Sequence, residues 1–324
     1  MEENTKYGIR LLREQEWDIW DRFVFQQRDG TIFHTSIWLR HQQDRNFEIY
    51  GVFYNGELVA GMPLCIKKKA GFRIAALPIM TPYNGPVFGD ALYRQNDIPV
   101  LWDVFRDALN GFDAWRLRCF HRNSVLSELW RRKEKSELKR TNVLLCTSEK
   151  ELLNGYASSL KRNIKKAKKN GISVVETQDF STIYRLSAQS FKHSGRKHPL
   201  NEQTFLSLAA ELHKFGLAKS MLAKDEENRP LAACWMPVDR QFAYNVIHGI
   251  DRNYRDLQAG PLVLHETIKA CFISGLNVDF EGSMQDRINA FYQKFGAQET
   301  EPTEASCINS RSLEFIVKMG LKSV

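Results

Sequence analysis

The chain has 324 residues, 43% hydrophobic and 26% charged, with a formal net charge of +8; that length ordinarily holds two domains or one large one. No apolar run approaches the roughly 18 residues of a membrane span, and MEENTKYGIR offers no apolar signal-peptide core, so a cytoplasmic protein without a transmembrane segment is expected. The six cysteines are scattered without a C-x-x-C pair and the eight histidines show no H-x-x-x-H or H-E-x-x-H spacing, which argues against a disulfide framework and predicts no metal site.

A helix is predicted from about Glu14 to Gln27 and a second, short one over FHTSIWLRHQQ. NFEIYGVFYNGELVAGMPLCIKKK reads as two strands joined at Tyr54-Asn55-Gly56, because Asn and Gly tolerate positive φ. FRIAALPIM is a third strand that ends at the turn-rich TPYNGP. Ile98, Leu101, Val104, Phe105, Ala108 and Leu109 then recur at helical spacing, and AWRLRCF alternates as a strand. In the second half, Leu153, Tyr156, Leu160, Ile164 and Ala167 form one apolar stripe, so a single long helix is expected, stopped at Asn170-Gly171. Its outer face is basic. Lys161, Arg162, Lys165, Lys166, Lys168 and Lys169 lie within nine positions and are candidates for contact with phosphate, nucleic acid or an anionic membrane surface; the plainer alternative is a solvated helix face. ISVVE follows as a strand, then helices over about 179–193 and 201–214, strands GLAKSMLAK and PLAACWMPV, and QFAYNVIHGI as a continuing strand. Gly260-Pro261 should open a helix, LNVDFEG a strand, INAFYQKFG a short helix closed by Gly296, and SLEFIVKMGL a final strand.

The halves repeat. NGELVAG (55–61) matches NRPLAAC (228–234), IAALPIMTPYNGP matches FAYNVIHGIDRNYR, and DIPVLWDVFRDALNGFDAWRLRCF matches GPLVLHETIKACFISGLNVDFEG. The expected fold class is therefore α/β (α+β): two tandem domains, each a mixed, largely antiparallel sheet flanked by helices. The predicted domains are 1–147 and 148–309, with the segment 310–324, a surplus strand near 311–319, returning to the first sheet. Asp279 and Glu281 alternate with Val278 and Phe280, so both carboxylates are expected on one face at a strand's C-terminal end, where α/β proteins place ligands. Either is a candidate acceptor for the proton of an attacking amine, or else a helix cap or ion-pair partner. His248 reads as a core histidine.

The run YNVIHGIDRNYRDLQAGPLVLHETIKACFISGLNVDFEGSMQDRINAFYQKFGAQ resembles the core of a GNAT acyltransferase. In that likeness Arg255, Gln258, Ala259 and Gly260 occupy the turn that cradles the pyrophosphate of an acyl-CoA at a helix N-terminus. Gln258 stands where the family has a glycine and narrows the cradle. Tyr292-Gln293-Lys294-Phe295-Gly296 matches Y-x-K-x-G, which implies a tyrosine that protonates the leaving thiolate. Taken in order, TIFHTSIWLR, FRIAALPIMTPYNGPVF, SLKRNIKKAKKNGISV and HETIKACFISGLNVDFEGS with FYQKFG resemble the FemABX family over most of the chain. That resemblance implies an acyltransferase with no tightly bound cofactor. Its donor would be acyl-CoA or aminoacyl-tRNA, and its acceptor an amine-bearing cell-wall (peptidoglycan) precursor or a cell-surface saccharide. It also implies acceptor contacts from Trp38, Tyr83 and Asn84, while Arg196 and Lys294 are basic candidates for an anionic substrate. Some members carry F-K-x-x-F-G; here Tyr292 replaces that lysine, which moves the site toward ordinary GNAT chemistry. An acyl-CoA-dependent N-acetyltransferase and a non-catalytic degenerate GNAT pair that binds an anionic partner remain the alternatives.

Overall fold

A computed structural model describes residues 6–43, 46–281 and 286–319, and the chain divides into two units, 1–139 together with 301–324, and 140–300. No described helix is long and apolar enough to cross a membrane.

The first unit contains, in order, β1 (Gly8–Leu11), α1 (Trp17–Gln26), α2 (Ser36–Leu39), β2 (Asn46–Tyr54), β3 (Glu57–Lys69), β4 (Phe72–Ala76), β5 (Val87–Phe88), α3 (Asp90–Gln95), α4 (Ile98–Leu109), β6 (Ala114–Arg118), α5 (Ser124–Lys133) and β7 (Lys135–Leu138). The β2–β3 turn takes the left-handed backbone its sequence favours, with Asn55 at φ 50° and Gly56 at φ 81°. Helix α4 lays Leu101, Trp102, Phe105 and Leu109 into a core that also holds Trp115, Leu117 and Trp130. The second unit contains β8 (Thr141–Leu144), α6 (Glu149–Gly155), α7 (Ser158–Lys169), β9 (Ser173–Glu176), α8 (Phe180–His193), α9 (Glu202–Lys214), β10 (Ala218–Lys224), β11 (Pro230–Pro237), β12 (Phe242–Tyr244), β13 (Ile247–Ile250), α10 (Ala259–Ile273), β14 (Asn277–Asp279), α11 (Asp286–Gln293) and β15 (Gln298–Thr300). Helix α10 is apolar around most of its circumference, and its Leu262, Val263, Leu264, Ile268 and Cys271 form the centre of that unit's core. The chain then adds β16 (Thr303–Ile308) and α12 (Arg311–Lys318) to the first unit.

Both units use one strand order. The first sheet runs β1-β2-β3-β4-β6-β16-β7, with β5 on β3; the second unit has β13-β11-β10-β9 and β12-β14-β8-β15. Each holds one parallel pair, β4 with β6 and β12 with β14, while its other strand pairs are antiparallel. In each, the strand beside that pair comes from the segment that enters or leaves the other unit's run. β16 lies between β6 and β7 although it follows β15, and β8 lies between β14 and β15 although it follows β7.

Four expectations change. The segment predicted as a strand near 311–319 is α12: Ser310 caps it through Leu313 N–H, and Leu313 packs on Ile74 and Ala114. The strand that returns to the first sheet is β16 instead, so the units divide at 139/140 and 300/301. The long helix is broken, since Tyr156 is extended (ψ 139°) and Ala157 N–H leaves the helix to donate to Lys294 O at 2.9 Å. Leu153 is consequently 37% exposed. QFAYNVIHGI is also not continuous. Asn245 N–H donates to Asp279 O and Val246 N–H to Tyr244 O, both at 2.8 Å, so β12 follows β14 while β13 turns onto β11.

Candidate active site

That break between β12 and β13 is where the second unit gathers its chemistry. Asparagine is poorly suited to a buried strand, and Asn245 is 5% exposed. It is accommodated because both ends of its amide are used. Nδ2–H donates to the Tyr292 hydroxyl at 3.1 Å, and Oδ1 accepts the Cys234 thiol at 3.5 Å. Tyr292 stands on α11, stacked on Phe280 with ring centres 4.7 Å apart. Its ring is half-buried while its hydroxyl is withdrawn from solvent. Burial first, then the negative charges that Cys234 and Glu281 would bring, raise its pKa well above the ordinary tyrosine value; the Asn245 bond opposes this. Burial likewise pushes the Cys234 thiol far up, so both groups stay protonated at neutral pH.

Asp279 and Glu281 do not present parallel carboxylates. β14 ends at Asp279, which is fully buried and accepts from Thr141 Oγ–H at 2.6 Å and from Glu281 N–H at 2.9 Å. Glu281 sits at φ 52°, a left-handed conformation that is strained for a non-glycine residue, and is only half-buried. The expected alternation fails because the chain turns at Phe280, whose N–H is taken by Asn142 O at 2.9 Å. Asp279 therefore fixes the turn, and Glu281 is the carboxylate that the turn presents.

Helix α10 begins at Ala259, one residue earlier than its Gly260-Pro261 suggested, with Gln258 at φ 62° as the preceding residue. Gln258 Nε2–H donates back to Arg255 O at 3.2 Å, and Arg255 is exposed beside Asp256. Ala259 and Gly260 are buried, and a Cβ on Gly260 would meet Ile250 Cδ1 at 2.7 Å. Pro261 removes one of the first-turn N–H donors, so this helix start offers a reduced anion cradle. His248 lies against it, with its Nε2 at 3.1 Å from Gly260 O, and burial lowers its pKa to about 4.

The remaining candidates are dispersed. Trp38 is fully buried and donates its indole N–H to Thr81 Oγ1 at 2.8 Å. Tyr83 is 1% exposed, with its hydroxyl at 3.1 Å from His121 Nδ1. Asn84 is 1% exposed and turned onto the backbone of Arg116 and Arg118. These three pack the first unit rather than lining an open surface. Arg196 is exposed over the Phe191 ring at 5.4 Å, and Lys294 is exposed just past α11. Lys161, Arg162, Lys165, Lys166, Lys168 and Lys169 all face outward from α7; Lys168 pairs with Glu266 at 2.9 Å and Lys161 reaches Asn154 O at 3.3 Å.

Comparison with known proteins bears on this arrangement. Residues 154–286 match the family model of the acetyltransferase (GNAT) domain. The whole chain superposes on FemX with a TM-score of 0.75 at 14% identity, covering 96% of this chain and 100% of that one. It also superposes on a tandem GNAT protein from the clavulanic acid biosynthesis pathway (TM-score 0.55, 9% identity, 94% and 99% covered). A third likeness is to the C-terminal domain of a protein named as a lysylphosphatidylglycerol synthetase from Agrobacterium fabrum (TM-score 0.59, 12% identity, 94% and 95% covered). The chain has the fold of FemX and other tandem GNAT proteins, with an acetyltransferase (GNAT) domain matched over 154–286. The acyltransferase reading stands with it, carried by the matched acetyltransferase domain and the tandem fold. No curated protein matches the chain.

Within this fold, sequence reasoning singled out Tyr292, Glu281 and Asp279 but missed Asn245, Cys234 and Thr141, which join or fix them. One signal was available: an Asn inside a run otherwise read as a buried strand needs polar partners on both ends of its amide. Thr141 carried no such signal, because it comes from a strand 138 residues earlier in the chain.

Proposed function

We propose that this tandem GNAT protein moves an acyl or aminoacyl group onto an amine, with Tyr292 as the proton donor to the leaving group and Glu281 as the proton acceptor. The observation that carries the assignment is the Asn245–Tyr292 hydrogen bond. The phenol oxygen receives that bond, so its own proton remains to be given, and its raised pKa keeps the proton in place until a stronger base forms beside it. The amine attacks the acyl carbonyl carbon and forms a tetrahedral oxyanion. The amine proton passes to the Glu281 carboxylate, directly or through one water. As the carbonyl re-forms, the thiolate or ribose alkoxide departs and takes the Tyr292 proton. First-turn N–H groups of α10 are the donors nearest in kind to an oxyanion hole, since those of Asn245 and Val246 are already used.

Acyl-CoA or aminoacyl-tRNA is the proposed donor. The matched acetyltransferase domain favours the former, whereas Gln258 and Pro261 leave less room and fewer donors for its pyrophosphate. The proposed acceptor is an amine on a cell-wall precursor or saccharide, supported by the FemX-like fold, and the proposed compartment is the cytoplasm.

The purified protein should be incubated with acyl-CoAs and charged tRNAs plus amine acceptors, and acyl consumption followed. With a working pair, Tyr292→Phe should lower turnover about 10²–10⁴-fold. It also orphans Asn245 Nδ2–H, at about 1–2 kcal/mol of stability. A folded Tyr292→Phe protein with unchanged turnover would remove Tyr292 from the mechanism.

A further inference from the structure

Where α12 covers the first unit's sheet, a cavity of about 900 Å³ remains. Strand register arranges its walls in two cross-strand rows, because paired residues share a face of the sheet. One row is Lys67, Ile74, Ala114 and Ile308, paired in succession. The other holds Arg116, Ser306 and Lys135, with Ser306 paired to both neighbours. Val317 of α12 closes the first row from above.

The two rows differ in chemistry. The first is aliphatic between its ends. The second places a guanidinium and an ammonium one strand to either side of a serine, about 10 Å apart at Cα from the ordinary strand spacing. Both side chains are long enough to converge over the Ser306 hydroxyl; Arg116 Nε lies 3.7 Å from Glu304 Oε1, which also holds Arg118, while among the described residues the Ser306 hydroxyl has no hydrogen-bond partner and Lys135 no carboxylate. Arg106 and Lys133 also line the cavity but are paired, with Glu134 at 3.5 Å and Asp103 at 2.9 Å, and the further positive charge comes from Lys67 and Lys69. The lining's two carboxylates already have partners. Glu134 accepts Trp102 Nε1–H at 3.0 Å and lies 3.5 Å from Arg106 Nε, and Glu314 pairs with Lys318 at 2.6 Å. Clustered cations facing an apolar wall are suited to an anion that carries an apolar body. The body is aliphatic rather than aromatic. The ring in the lining, Trp115, is 1% exposed and already covered by the Arg106 guanidinium at 5.3 Å, which leaves no face for a base to stack on.

We propose that this cavity binds an aliphatic phosphate ester, with the phosphate held by Arg116, Ser306 and Lys135 and the chain laid along Ile74, Ala114, Ile308 and Val317. The site lies wholly in the first unit and is separate from the acyl-transfer residues of the second, so it stands or falls independently of them.

The test is calorimetric titration of the whole protein with n-octyl phosphate, inorganic phosphate and AMP. Octyl phosphate should bind at least tenfold more tightly than either of the others. Arg116→Gln with Lys135→Gln should weaken it tenfold or more with little change in thermal stability, since both side chains are exposed and Arg118 keeps the buried Glu304 paired; Ser306→Ala, which removes only a hydroxyl, supplies the same test should the double variant fold poorly. A control on α7, Lys165→Gln with Lys166→Gln, should leave affinity intact. Absence of octyl phosphate binding, equal binding of AMP, indifference to the cavity variants, or loss in the α7 control each overturns the proposal. Vesicles of phosphatidic acid in phosphatidylcholine then distinguish the sources. Cavity-dependent adsorption supports a membrane-borne phosphate, and octyl phosphate binding without adsorption supports a soluble one.

Discussion

Acid should destabilise the second unit well before the first, because the buried titrating groups of the two units have opposite balances. His248 and His265 in the second unit have pKa values lowered to about 4 from an ordinary 6.5. Burial is the largest cause in both, opposed for His265 by Glu266 and reinforced by Lys168 and Lys269. Between pH 6.5 and 4 the unfolded chain binds a proton that the folded one refuses, so stability present above 6.5 is lost as pH falls. Each histidine loses up to about 1.4 kcal/mol per pH unit in the middle of that window. The first unit contains His34, lowered by burial to about 4, but also Asp29, which burial raises from 3.8 to about 7. Asp29 has the reverse sign: the folded state holds its proton up to about 7 while the unfolded chain releases it, so stability rises as pH falls through that window. His34 and Asp29 nearly cancel, whereas the two histidines of the second unit add to at most about 2.7 kcal/mol per pH unit. Because the unfolded histidines are only half-protonated at 6.5, the loss from pH 6.5 to 5 amounts to about 3 kcal/mol, a large share of an ordinary domain's stability. Amide hydrogen exchange by mass spectrometry at pH 7, 6 and 5, corrected for intrinsic rates, resolves the units. Protection should collapse first in peptides from 140–300, and His248→Gln should remove about half of the slope. Equal losses in both units, or a second unit indifferent to pH, would refute the reasoning.

Three further outcomes follow from particular contacts. Replacing Arg162, Lys165, Lys166 and Lys169 by Ala on α7 should weaken tRNA binding and reduce the slope of log K against log salt by about 3, from roughly 0.7–0.9 per phosphate contact; an unchanged slope makes α7 a solvated face. Glu304 on β16 is 4% exposed and takes Arg118 at 2.6 and 3.1 Å, so Glu304→Leu should cost about 3 kcal/mol by stranding that charge, read as a lower urea midpoint. Gly249→Ala places a Cβ 2.6 Å from Ser187 N and 2.7 Å from Leu186 C. These are backbone atoms that cannot step aside, so β13 must shift from α8 at about 1–3 kcal/mol; a neutral effect in thermal unfolding would contradict this packing.

Local signals carried much of the fold. The Asn55-Gly56 hairpin, the 98–109 helix and the 173–176 strand are set by turn chemistry and periodicity, and they lie where those signals put them. What could not be read locally is set by distant partners. Tyr156 leaves its helix because its hydroxyl lies 3.1 Å from His265 Nδ1 and its neighbour's N–H meets Lys294 O. SLEFIVKMGL was ambiguous between periods: Leu313, Phe315 and Val317 alternate, yet Leu313, Ile316 and Val317 also fit a helix, and Ser310 at its start settles the matter as a cap. At the site, Tyr292 was legible from its motif, whereas the unequal status of Asp279 and Glu281 depends on a turn that only the pairing with β8 imposes.

The same Tyr-Asn pair stands at the break in each unit, and its two fates show why the chemistry is assigned to the second. In both, the asparagine N–H is tied to the last residue of the strand in the parallel pair: Asn84 to Arg118 O at 3.1 Å, Asn245 to Asp279 O at 2.8 Å. In the first unit the side chain repeats the tie. Asn84 Nδ2–H donates to Arg116 O and Oδ1 accepts Arg118 N–H, while Gly85 N–H adds a further bond to Arg118 O across an approach that a side chain would crowd. The N–H and both ends of the side-chain amide of that asparagine are spent on backbone, and the break is sealed. In the second unit Val246 replaces the glycine and folds its N–H back onto Tyr244 O, which frees the asparagine amide to leave the backbone altogether. It turns instead to two groups with exchangeable protons, the Tyr292 hydroxyl and the Cys234 thiol. A backbone-to-backbone stitch can only hold a fold. An amide that holds a protonated phenol can also present a proton, and that difference supports the proposed assignment of acyl transfer to the second unit.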